Sequence, residues 1–94
     1  MTDRDVIAAV RTAAFDYGWT SFHEESNVHF YAKRNRELRV YFARNGAIEK
    51  AEKFRYPEDL DVADTYLHDK LTGGYRFNTQ FQLVPTLRLF EESL

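Results

Sequence analysis

Three groups of residues have types and spacings from which chemistry can be built. The stretch HEESNVH holds His23, Glu24, Glu25 and His29, all metal-ligand types. A helical metalloprotease site needs two histidines four apart on one helix face with a glutamate between them. Here they stand six apart, across a loop and into a strand, and read as exposed polar residues. Asp64 and His68 lie one helical turn apart with Asp69 beside them. A carboxylate can orient an imidazole for proton transfer, but a nucleophile is still needed. The chain has no cysteine, and no serine or threonine sits in an elbow motif, so the pair reads as a surface contact. Gly73-Gly74 has no lysine and hydroxyl residue after it, which excludes a phosphate loop. The expectation is a protein with no catalytic residue, no metal and no cofactor.

The third group is a hairpin, and its chemistry is recognition. In residues 37–54, ELRVYFARNGAIEKAEKF, two alternating segments flank Asn45-Gly46. The net charge of the chain is −2, yet residues 28–56 carry eight cations against three acids, or +5. Residues 1–27 carry two against five, and residues 57–94 three against seven, giving −3 and −4. The expected partner-binding set is Tyr31, Lys33, Arg39, Tyr41 and Arg44, with His29, Arg34 and Arg36 extending it. Tyr and Arg combine large contact area with a directional polar end, as interface hot spots require. Cations on an exposed sheet also guard against aggregation and need no partner for that. A protein with an acidic surface is the expected partner. Nucleic acid, through the same hairpin, is the alternative, with the acidic flanks weighing against it.

These groups need elements to hold them. Val6, Val10, Ala13, Ala14 and Tyr17 repeat at three and four residues, with Ile7 beside them, which predicts a first helix. Thr2 and Asp5 stand at capping-box spacing, and Gly18-Trp19 reads as the stop, with Trp19 folded back on Ala14. Residues 20–27 read as a loop pinned by Phe22. Val28, Phe30 and Ala32 alternate with His29, Tyr31 and Lys33. Leu38, Val40 and Phe42 alternate with Arg39 and Tyr41.

The predicted turn between these two strands is Arg34-Asn35-Arg36, so the first set of each strand faces inward and the second outward. Asn45-Gly46 predicts a type I′ turn into a third strand, where Ala51 is out of phase and implies a bulge or an edge position. A second helix is expected from about Asp59 to Thr72, with Leu60, Ala63, Leu67 and Leu71 in register. In the tail, Phe77, Thr79, Phe81 and Leu83 alternate like a fourth strand. Pro85 can then open a short helix carrying Leu87, Phe90 and Leu94.

The predicted architecture is one α+β domain over residues 1–94. It consists of a helix, a three-stranded antiparallel meander and a helix (α-β-β-β-α), plus a C-terminal strand or short helix, with the helices stacked on one face. No apolar run approaches the ~18–20 residues of a membrane span, and no secretory leader is evident, so no membrane partner and a cytoplasmic setting are expected. A homodimer through an exposed third strand is a further expectation.

The α-β-β-β-α order resembles the double-stranded-RNA-binding domain. That family, however, meets phosphates with lysines at its second helix, where this chain reads PEDLDVAD. A closer resemblance runs over residues 13–54, under half the chain. AAFDYGW and VHFYAKRNRELRVYFARNGAIEKAEKF resemble small orphan proteins of actinobacteria and their phages. Those end a helix in Gly-Trp and carry a hairpin matched here by Val40, Phe42, Gly46, Ile48, Ala51 and Phe54. The resemblance implies the fold, a phage origin, and action by binding a host protein in the host cytoplasm. It brings no catalytic residue with it.

Overall fold

The computed structural model describes residues 3–57, 60–68 and 71–91. Helix α1 spans Asp3–Asp16, and five strands follow: β1 Thr20–Glu24, β2 Val28–Lys33, β3 Arg36–Phe42, β4 Ile48–Arg55 and β5 Tyr75–Gln80. Helix α2, Val62–His68, interrupts the strands before β5, and helix α3, Leu83–Leu89, follows them. The strands form one antiparallel sheet in sequence order, each paired with its chain neighbours. The fold is α+β, as expected, with five strands instead of three. Thr20–Glu24 is an edge strand and not a loop, and the tail supplies both a strand and a helix. Among the described residues no helix is long and apolar enough to cross a membrane.

Helix α1 ends as its residues dictate. Trp19 N–H donates to Ala14 O at 2.8 Å and Gly18 N–H to Phe15 O at 3.2 Å, the paired bonds of a Schellman motif. Gly18 has φ 79°, a conformation that costs other residues about 1–2 kcal/mol. The expected Thr2 cap lies outside the described residues. So do Asp59, where α2 was expected to begin, and Leu94. Helix α2 is shorter than expected and buries Val62, whereas Leu67 is exposed.

Two cores sit on opposite sides of the sheet. On one, Val10 and Ala14 of α1 and Leu89 and Phe90 at the end of α3 close over Tyr31, Leu38, Val40, Phe42 and Ala51. Trp19 joins this layer, with its indole N–H donating to Phe90 O at 3.0 Å and its ring edge-on to Phe90. On the other, Val62 packs on Ala32 and Tyr56, with Phe22 and Phe54 against them. The helices therefore cover both faces, where a single covered face was expected.

The turns account for that difference. Lys33 pairs directly with Arg36, so the β2–β3 turn is the two residues Arg34-Asn35, with Arg34 at φ 56°. Side chains alternate strictly along a strand, so shortening the expected three-residue turn by one reverses which β2 residues share a face with Leu38 and Val40. His29 and Tyr31 take those places, and Val28, Phe30 and Ala32 turn to the α2 side. The β3–β4 loop is longer than a type I′ turn. Ala43 N–H donates to Ala47 O, Gly46 N–H donates to Ala43 O, and Gly46 has φ 84°, leaving a three-residue loop at Arg44–Gly46. The expected bulge in β4 exists, where the register shifts between Tyr41 and Phe42. The strand itself is interior, between β3 and β5, so it offers no edge for a homodimer.

Candidate interaction surface

The five expected partner-binding residues do not form one surface. Tyr31 is 2% exposed, with Phe90 edge-on to its ring at a centroid distance of 5.3 Å. Burial pushes its hydroxyl pKa up to about 12. Its expected outward position is overturned by the two-residue turn. Lys33 shares that face, and its ammonium donates to Tyr17 O at 2.8 Å, satisfying a carbonyl past the end of α1. Arg44 is exposed in the hairpin loop, beside a shallow hollow that His29, Phe42 and Glu49 also line. Only Arg39 and Tyr41 lie together on the opposite face, where α2 leaves part of the sheet open.

Register builds that face row by row. Phe30, Arg39, Glu52 and Thr79 stand abreast on β2–β5, with Val28, Tyr41 and Lys50 on one flank and Ala32, Glu37, Phe54 and Arg76 on the other. Helix α2 and Tyr56 cover the Ala32 end.

At the centre lies Glu37, 1% exposed. Arg39 Nε donates to its Oε2 at 2.6 Å, and the Tyr56 hydroxyl donates to its Oε1 at 2.7 Å. The Arg39 guanidinium sits over the Phe54 ring at 4.3 Å and near the Phe30 ring at 5.6 Å. Burial alone would lower the Arg39 pKa, and the bond and charge of Glu37 outweigh it, so the guanidinium stays charged. Burial, followed by the bond to Glu37, pushes Tyr56 up to about 12.

A second buried carboxylate, Glu52, accepts from Arg76 at 2.5 Å. Burial would raise this carboxyl, but hydrogen bonds from Arg76 and Tyr41 outweigh it and hold the pKa below its ordinary value. Lys50 Nζ lies 4.7 Å from the Tyr41 ring centroid. Three cations (Arg39, Lys50, Arg76) against two carboxylates (Glu37, Glu52) leave this face at +1, far from the +5 that the segment suggested. Glu37, Glu52 and Arg76 were missed as parts of the surface. Glu37 carries a legible signal, because an acid two positions from Arg39 on a strand must share its face.

The histidines separate as well. His23 stacks against Phe30 and Tyr66 on the α2 side, with Nε2 3.4 Å from Glu25. His29 is buried on the other side against Phe42, with Nε2 3.3 Å from Glu24. Burial lowers its pKa, against the pull of Glu24 and with the push of Arg11. His23, Glu25 and His29 do not converge, and no group of three potential metal ligands occurs among the described residues. Asp64 and His68 meet at 3.3 Å with both side chains 73% exposed, an i,i+4 surface contact. Asp69 lies outside the described residues.

Comparisons with protein-family models, curated proteins and solved structures find no match for this chain.

Proposed function

We propose that this is a non-enzymatic binding module, of the kind small phage proteins supply, that docks on a host or partner protein through the open sheet face carrying Arg39 and Tyr41. The observation that carries the reading is the fixed position of Arg39. A guanidinium bonded to a buried carboxylate and laid on two rings has little side-chain freedom to lose on association, a cost of about 0.5–1.5 kcal/mol for a mobile chain. Around it, Phe30, Tyr41 and Lys50 are half-buried and offer rings, a hydroxyl and an ammonium. An acidic partner suits the residual positive charge, which steers encounter more than it sets affinity. Phosphate fits this face less well, because Glu37 and Glu52 already occupy Arg39 and Arg76.

The test is affinity capture from an actinobacterial lysate, comparing the parent chain with Tyr41→Ala and Lys50→Ala. Both positions are half-buried, and Arg76 still satisfies Glu52 in either variant. Losing a hot spot worth about 2 kcal/mol weakens binding roughly 30-fold. The variants should therefore melt like the parent and release the captured protein. A partner retained by both overturns the assignment of this face.

A further inference from the structure

On the other side of the sheet, past the ends of α1 and α3, the register sets like charges side by side. Lys33 pairs with Arg36, Arg36 with Arg55, and Arg55 with Tyr75, a row across β2–β5. Like charges directly opposite one another destabilise a sheet. The turn adds Arg34, an exposed long side chain at φ 56°, where a residue other than glycine, asparagine or aspartate is uncommon. Lys33 serves the end of α1, whereas Arg34 and Arg55 are both exposed. Among the described residues neither Arg34 nor Arg55 forms an ion pair.

Arg55 lies instead against two rings, 5.8 Å from the centroid of Tyr75 and 5.2 Å from that of Phe77. These rings are 53% and 39% exposed. Phe77 reaches this side because β5 is bulged there, placing it next to Asn78 opposite Lys53. A bulge re-aims one side chain out of the regular alternation.

Crowded cations interleaved with exposed rings fit a polyanion that carries planar groups. We propose that Arg34, Arg55, Tyr75 and Phe77 form a binding surface for single-stranded nucleic acid, with the two arginines taking phosphates and the rings stacking bases. Duplex fits less well, because its bases are already stacked and closed to the rings. An acidic protein would satisfy the charges but leaves the exposed rings without a planar partner. The net charge of −2 does not oppose this, because a bound polymer responds to the local field. The inference stands apart from the docking face, which lies across the sheet.

The test is fluorescence anisotropy of a short labelled thymidine oligonucleotide with the full chain over a series of salt concentrations. Duplex of the same length and polyglutamate serve as competitors. Affinity should fall with salt at a log–log slope of about −0.7 for each phosphate neutralised. Arg55→Ser, or Arg34→Ser as a second variant, should weaken binding and make the slope shallower by about one such step. Tyr75→Ala should weaken binding roughly ten-fold with the slope unchanged, since stacking carries no counterion. Lys50→Ala, across the sheet, should bind like the parent.

Absence of binding at low salt overturns the proposal. So does equal competition by duplex or polyglutamate, or a Tyr75→Ala chain of parental affinity. A loss in Lys50→Ala matching that in Arg55→Ser would put the site on the wrong face.

Discussion

Glu37 shows how one side chain decides what its neighbours can do. A carboxylate 1% exposed is tolerable only because Arg39 and Tyr56 both bond to it. From the sequence, replacing Arg39 by alanine looks harmless to the fold. In the structure it strands a buried charge, at a cost on the order of 3 kcal/mol even with Tyr56 still bonded. Chemical denaturation should show that loss in Arg39→Ala and a smaller one in Arg39→Lys, which keeps the charge but not the fork. An Arg39→Ala chain as stable as the parent would remove Arg39 from the network. Tyr31 and Tyr56 give a second check. Both hydroxyls are raised to about 12 from the usual 10, so their contribution is complete below pH 10 and is lost as pH climbs from 10 to 12. In an absorbance titration Tyr31 and Tyr56 should be the last tyrosines to ionise, with Tyr17 and Tyr41 also shifted upward, and stability should fall across that interval. Simultaneous ionisation of all six tyrosines near pH 10, with the chain still folded, would contradict their burial.

At the scale of elements, periodicity was the reliable signal and turn length the unreliable one. The stripe on α1, the alternation of Leu38–Phe42 in β3 and the Gly18-Trp19 stop are present, because each follows from local sterics and from burial of one face, whereas β2 is buried on both faces. The sequence makes the β2–β3 turn one residue longer than the Lys33–Arg36 pairing allows, which reverses β2 and places Tyr31 outside the core. No local rule distinguished Arg34-Asn35 from Arg34-Asn35-Arg36. Asn35 is fixed by distant partners, its amide donating to Tyr56 O and its carbonyl accepting from Tyr56 N–H. Strand β1 was hidden for a related reason, since its register shifts between Ser21 and His23 and the alternation breaks there. The proposed docking face is thus half legible, since the sequence puts Arg39 and Tyr41 on one face, as the register does, but does not show their carboxylate partners. The approach to β5 offers a test of long-range packing. A Cβ on Gly74 would collide with the Tyr56 ring. Gly74→Ala should therefore displace Tyr56 from Glu37 and cost more than the ~1 kcal/mol of a backbone effect alone. A neutral substitution, read by thermal melting, would mean that the ring shifts freely.

Across the whole molecule, both sheet faces and both edges are committed. One face is covered by α1 and α3 up to the Arg55 row, and the other is partly covered by α2, leaving Arg39 and Tyr41 in the open. The edges are β1 and β5, and each is bulged, β1 at Phe22 and β5 at Phe77. An edge can extend a sheet only if it presents an unbroken run of backbone donors and acceptors, and bulges are a common way of preventing that. The third predicted strand is interior and closed to pairing. Phe15, on α1, is 83% exposed, and Phe81, just past β5, is 65% exposed. The chain alone should therefore sediment as a monomer, with the same sedimentation coefficient at low and high salt. A dimer stable in high salt would mean that an edge pairs despite its bulge. A dimer dissolved by salt would instead point to the cationic row meeting the acidic helices of a second copy, and would make self-association a competitor of any bound polymer.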